Sequence, residues 1–235
     1  MPDEEITLPE ETVETKAETA SHSAAFKILM SLMLVLFIAA VTVSLAIIQP
    51  WRSSSSNAPS FAYSAAFTLG QANAPVTIDL YEDFQCPICR DWSQIVFSPL
   101  KAGAIAAGEV KLVFHGLSAL GPESAAADRA AFAAAQQGRF WDMWAALYAH
   151  QGETENSGAF SDLNLRQLAV DLGLDLTRYD ADFISTTAQT YVTDEAAHGH
   201  AIGIAGTPTL IIAGVQYPGI TTYEILKPII DAARK

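Results

Sequence analysis

Cysteine is scarce: 235 residues carry two, Cys86 and Cys89. No second cysteine pair is left to complete a four-thiolate zinc site. Histidine gives little help, with five in the chain, one of them (His22) on the far side of a long apolar run. His198 and His200 form a His-x-His, but nothing in the sequence ties it to the cysteines. No metal is therefore expected. A structural staple is a poor reading, because closing so short a loop removes only about 2 kcal/mol of unfolded-state entropy. A pair of inert buried thiols is the remaining dull reading. Positive charge is also short, with 13 Lys and Arg against 26 Asp and Glu. Without a basic footprint, nucleic-acid binding is not expected. Residues 1–26 hold seven of the acids and one lysine, so nearly half of the net charge of −13 sits in a short tail. The rest of the acidity serves solubility. No internal repeat is visible.

What the chain does have is one long uncharged apolar run, residues 28–48. It is long enough to cross a bilayer as a helix. The following Gln49-Pro50-Trp51-Arg52 is a poor cleavage site, so a retained anchor is expected rather than a removed signal peptide. Trp51 suits the membrane interface, and Lys16 and Lys27 before the span against Arg52 after it place the N-terminus in the cytoplasm. The expected organisation is a disordered acidic tail (1–26), a transmembrane anchor (27–49), a flexible linker (50–60) and one domain (61–235). That last segment is ample for a real core.

The two cysteines stand as Cys86-Pro87-Ile88-Cys89. Residues 76–81 (VTIDLY) read as a buried strand just upstream, and residues 90–96 as the start of a helix just downstream. A dithiol at a strand-to-helix junction is the layout of a thioredoxin-type redox centre. Unpaired N–H groups and the helix dipole favour a thiolate there. Cys86, first in the chain and near the exposed helix end, is the candidate nucleophile. Cys89, one turn further in, would resolve the mixed disulfide. Pro87 suits the first turn, where its missing N–H costs nothing. The redox-active group would be the Cys86–Cys89 disulfide, with no other cofactor.

Further along, residues 111–115 read as a second strand, and the pattern is helical over about 121–203. Ser124 is the candidate cap of a helix over 125–136, an Ala-rich stretch with little to pack with. Phe140, Trp141, Trp144, Leu147 and Tyr148 recur at helical spacing and read as core. Residues 162–171 and 180–202 read as further helices, 209–212 and 215–217 as a strand pair turning at Gly214, and 223–233 as a last helix that Pro228 would kink or break.

The segment Asp83-Phe84-Gln85-Cys86-Pro87-Ile88-Cys89 resembles the active-site motif of DsbA-like thiol–disulfide oxidoreductases. Three further segments follow in that family's order: residues 138–144 (GRFWDMW), residues 203–210 (GIAGTPTL) with the family's cis-proline loop, and residues 215–219 (VQYPG). The match runs from about Phe67 to the C-terminus. It implies an α/β chain with a thioredoxin fold, a helical domain inserted at about 121–203, and an extra N-terminal strand at 67–69. Together with the apolar run, that fold is preceded by one transmembrane helix.

The resemblance also implies a cis bond at Thr207-Pro208, with Thr207 offering main-chain hydrogen bonds to an extended client peptide. The family's strongest oxidants carry a histidine where this chain has Ile88, so a milder oxidant is expected. The family's buried acid, six residues before the first cysteine, is here Leu80. Glu82 and Asp79 flank it as possible proton relays; Glu82 shares the strand parity of Leu80, Asp79 points to the opposite face, and each reads first as a solvated charge. Asp83 reads as a residue that shapes the motif. The function implied is a membrane-anchored enzyme, its catalytic domain outside the cytoplasm, that oxidises dithiols of exported cysteine-containing proteins and is reoxidised by a separate membrane partner. A chaperone-like docking module, or a reductase or isomerase, are the alternatives.

Overall fold

The computed structural model describes Met33 and residues 65–234. All but Met33 fall within one compact unit, Phe61–Lys235. The expected tail, most of the apolar run and the linker lie outside the described residues. Among the described residues no helix is long and apolar enough to cross a membrane.

Five strands form one sheet in the order β1-β3-β2-β4-β5. They are β1 (Thr68–Leu69), β2 (Val76–Glu82), β3 (Val110–Gly116), β4 (Thr209–Ile212) and β5 (Val215–Pro218). The central strand, β2, runs parallel to β3, with Ile78 opposite Leu112, and antiparallel to β4, with Leu80 opposite Leu210. The β2–β3 connection carries α1 (Pro87–Ile95), α2 (Phe97–Leu100) and a π-helical turn (Lys101–Ile105). A parallel pair needs such a crossover. Five helices are inserted between β3 and β4: α3 (Pro122–Ala135), α4 (Phe140–Ala149), α5 (Asp162–Asp171), α6 (Leu176–Phe183) and α7 (Thr186–Ala201). The chain closes with α8 (Tyr223–Ala233), which continues through Pro228.

One core runs through both parts. Ile78, Leu80, Phe84 and Trp92 from the sheet side share it with Phe140, Trp144, Leu147 and Tyr148 of the insertion. The aromatic stripe is therefore core, as its spacing predicts.

Three local expectations need correction. The alanines of α3 pack well: ten of its fourteen residues are buried. Small side chains let neighbouring helices approach closely, so α3 becomes the centre of the insertion. Ser124 is not a cap. The helix starts two residues earlier, with Pro122 in its first turn after Gly121, whose φ is 119°. A Cβ at Gly121 would also lie 2.7 Å from the Asn156 side chain. The single helix expected over 180–202 is two, because Ser185 caps α7 by accepting a hydrogen bond from the Ala188 N–H at 3.0 Å.

Behind the sheet, His115 ties three elements together. Its Nδ1 lies 2.7 Å from Glu195 of α7 and its Nε2 3.3 Å from Asp79 of β2. Burial alone would push its pKa down, but hydrogen bonds to Asp79 and Glu195 outweigh this and raise it to about 9. A folded pKa above the ordinary value stabilises fully below about pH 6.5, and that stabilisation is lost as pH rises through 9. Subtracting the pH–stability profile of His115→Gln from that of wild type should give a difference that falls by about 3 kcal/mol over this window. Urea melts at half-unit pH steps check it, and a flat difference would contradict the ion triad.

Candidate active site

Strand β2 ends at Glu82, and the chain turns through residues 83–85 into α1. Cys86 N donates to Asp83 O at 3.0 Å, which closes that turn. The Asp83 carboxylate holds it from outside, accepting from Gln85 N at 2.8 Å, Leu120 N at 2.9 Å and the Ser124 hydroxyl at 2.6 Å. Asp83 thus shapes the loop, and Ser124, misread as a cap, braces it.

Cys86 is the residue before the helix, with φ −72° and ψ 118°, and no side chain caps α1. The first turn's donors are therefore open to the Cys86 sulfur. Its pKa is lowered to about 6, first by a hydrogen bond from the Cys89 thiol and further by Thr207 and the Cys89 and Ile88 N–H groups, against the opposing effect of burial. Thr207 faces the thiol with its carbonyl as well, 3.4 Å from Sγ. The carbonyl favours the thiol and the Thr207 side chain the thiolate; the net balance lies with the thiolate. Cys89 is fully buried, and burial together with its bond to Cys86 pushes its pKa well up. The two cysteines of one motif are thus shifted in opposite directions. Cys86 is itself only 7 % exposed, less open than a helix end suggests, whereas Pro87 and Ile88 beside it are exposed. The Thr207-Pro208 bond is cis.

The structure separates the two flanking acids. Asp79 lies on the face of β2 that meets His115 and contributes nothing to the cysteine side. Glu82 lies on the other face, fully buried, with Trp144 Nε1 donating to its Oε2 at 2.9 Å. The reading of Glu82 as a solvated charge is overturned. Burial is the main cause that raises its pKa to about 8, hydrogen bonds from Trp144 and Tyr148 pull the other way, and the Cys86 charge adds to the rise. Glu82 Oε1 has no hydrogen-bond partner among the described residues. Leu80, where the resemblance places the acid, is buried in the core. Glu82 occupies the same face two residues later.

Several site residues carried no usable sequence signal. Trp144 read only as core. Gln85 and Asn156 interlock the loop with the insertion, Asn156 N donating to Gln85 Oε1 at 2.6 Å. Gln151 donates through Nε2 to Phe84 O at 2.7 Å and to Cys86 O at 3.0 Å. A cavity of about 430 Å³ opens beside Pro87, lined by Gln85, Arg90 and residues 152–156. Among the described residues no group of three or more His, Cys, Asp or Glu is placed to hold a metal.

Ile88 offers its N–H to the thiolate but no charge. Replacing it with histidine should lower the Cys86 pKa by about one unit and make the couple more oxidising by about 30 mV, one tenfold step for two electrons. Thiolate absorbance against pH and titration against glutathione read the two halves. An unchanged pKa would mean that this dipeptide does not set the thiolate.

A family model described as thioredoxin matches residues 64–232. A probable disulfide bond formation protein D of Bacillus cereus is 28 % identical over 157 residues, covering 66 % of this chain and 73 % of that protein. A Na(+)/H(+) antiporter NhaA 1 of Mycolicibacterium gilvum is 31 % identical over 154 residues, 64 % of this chain. The chain spans about a quarter of that antiporter's length, 24 %. Among solved structures, BdbD from Bacillus subtilis superposes with a TM-score of 0.66 at 23 % identity, covering 72 % of this chain and 92 % of that one. A thioredoxin-like oxidoreductase from Silicibacter pomeroyi superposes with a TM-score of 0.60 at 28 % identity, covering 71 % and 91 %.

Proposed function

The chain belongs to the thioredoxin family, and on that premise we propose that it is a thiol–disulfide oxidoreductase that oxidises dithiols of exported proteins through the Cys86/Cys89 pair. The observation that carries this is the placement of the two thiols: Cys86 stands at the start of α1, 3.4 Å from the Thr207 carbonyl beside the cis bond to Pro208, and Cys89 lies one turn further in and fully buried. The directions of their pKa shifts, Cys86 down and Cys89 up, agree with it. The names of the Bacillus cereus relative and the Silicibacter pomeroyi structure agree with it. The match covers 24 % of the antiporter and lends no support to ion transport by this chain.

In the oxidising direction a client thiolate attacks Cys86 Sγ of the enzyme disulfide. The Cys86–Cys89 bond breaks, a client–Cys86 bond forms, and Cys89 leaves as a thiolate that takes up a proton. A second client thiolate then attacks the client sulfur, forming the client disulfide and releasing the Cys86 thiolate. Two electrons pass from client to enzyme. A leaving thiol with a low pKa speeds that last step. Glu82, buried and with its pKa raised to about 8, is suited to pass a proton to and from Cys89. Thr207, whose carbonyl lies 3.4 Å from the Cys86 sulfur and which precedes cis Pro208, can receive the client backbone as an added strand.

We further propose that residues 28–48 anchor this domain outside the cytoplasm and that a separate membrane protein reoxidises it. Alkaline extraction of membranes and protease protection on intact cells test the anchor and its direction. For the reaction, a reduced multi-cysteine protein is refolded with oxidised enzyme, beside an insulin-reduction assay. Faster refolding with slow insulin reduction is expected. Neither activity would leave a docking module, and fast insulin reduction alone would indicate a reductase.

A further inference from the structure

We propose that Gln151 is a positioning residue for the Cys86 thiolate, an inference that rests on the oxidoreductase reading. One face of the insertion follows the cysteine segment step for step. Trp144 Nε1 reaches Glu82 at 2.9 Å, the Tyr148 hydroxyl reaches Asp83 O at 3.5 Å, and Gln151 Nε2 reaches Phe84 O and Cys86 O at 2.7 and 3.0 Å. Trp144 and Tyr148, four residues apart, share one side of α4, and Gln151 follows just beyond the helix end.

The Cys86 carbonyl is the critical contact. It belongs to the peptide that leads into α1, so the ψ angle of Cys86 sets both its direction and the direction of the helix's first N–H groups. Those groups, on Ile88 and Cys89, lower the pKa of the Cys86 thiol. Cys86 is the N-cap residue and no side-chain hydrogen bond caps α1, so the first turn's N–H groups are free to turn toward a Cys86 thiolate. The helix's own bond to this carbonyl, from Arg90 N, is 3.2 Å long, at the far end of the ordinary range. Gln151 makes the shorter bond and, by bridging Phe84 O as well, fixes the Phe84–Gln85 and Cys86–Pro87 peptides. Its amide dipole also points positive hydrogens toward this segment. Both effects favour the thiolate, and so the reduced enzyme.

Three full-chain variants test this. Gln151→Met keeps the length and removes the donor. Gln151→Asn is polar but one methylene short, and serves if the first variant does not fold. Gln151→Lys restores donors. Thiolate absorbance against pH gives the Cys86 pKa, equilibrium with glutathione gives the potential, and a thermal melt establishes folding. Gln151→Met and Gln151→Asn should raise the Cys86 pKa by about half to one unit. They should shift the glutathione equilibrium three- to tenfold toward the enzyme disulfide, a couple less oxidising by about 15–30 mV. Gln151→Lys should return both to the wild-type value or beyond. A folded variant whose melting temperature drops while the Cys86 pKa and the glutathione equilibrium stay fixed would overturn the inference. If wild-type enzyme fails to oxidise clients but its Cys86 pKa still responds to Gln151→Met, the positioning stands and the oxidoreductase reading falls.

Discussion

Cys86→Ser should reduce client oxidation to the rate seen without enzyme, while Cys89→Ser should accumulate long-lived mixed disulfides. The two outcomes differ because the thiols differ. Removing Cys86 removes the sulfur whose pKa is lowered to about 6, and the thiol left behind is fully buried. Removing Cys89 leaves a reactive thiolate with no internal thiol to resolve its adducts. Cys89→Ser also removes the largest single cause that lowers the Cys86 pKa, the bond from the Cys89 thiol. A serine hydroxyl at the same place can donate in its stead, so the trapped species should still form near neutral pH. Non-reducing gels of cells carrying each variant read the adducts. Adducts with Cys86→Ser and none with Cys89→Ser would reverse the roles.

Glu82→Gln should slow the resolution of mixed disulfides at pH 7 by roughly 10- to 100-fold, the lower part of what a positioned acid–base group contributes. In wild type the ionised fraction of Glu82 grows as pH rises through about 8, so the resolution rate should rise through the same point. Glutamine abolishes that step. Stability should move the other way. Glu82 holds a proton in the folded state that it loses near pH 4.5 when unfolded, so stability falls between about pH 4.5 and 8. Glutamine removes this loss and should stabilise the protein by up to about 3 kcal/mol at pH 7. Stopped-flow decay of a purified mixed disulfide, with urea melts on both proteins, checks the pair. A variant as fast as wild type would exclude Glu82 as a relay.

The fold was legible where the chain's local pattern and its tertiary role agree. Residues 162–171, 209–212 and 223–233 were readable because each has one apolar face or run with a turn or cap beside it. The cis bond at Thr207-Pro208 was legible only through family resemblance, since an X–Pro pair alone carries a small cis population. The failures have physical causes. The alanines of α3 look weak in sequence, because close packing is a property of the neighbours they admit. Ser124 has the chemistry of a cap, and only the fold reveals that its hydroxyl is taken by Asp83. Strand parity correctly set Glu82 and Asp79 on opposite faces, but parity cannot say which face is dry. That depended on Trp144, sixty-two residues away, donating to Glu82. Gln151 gave no signal, because a glutamine's role depends wholly on which carbonyls the fold brings within reach.

The central claim is that Cys86 is the reactive thiolate and Cys89 its protected partner. Limiting iodoacetamide applied to the reduced protein at pH 4 to 10, followed by mass spectrometry of the cysteine peptides, measures this directly. The structure predicts modification at Cys86 alone, with a midpoint near pH 6, and a Cys89 that stays unmodified until the protein unfolds. Modification of Cys89 first, or a Cys86 midpoint near 9, would contradict it.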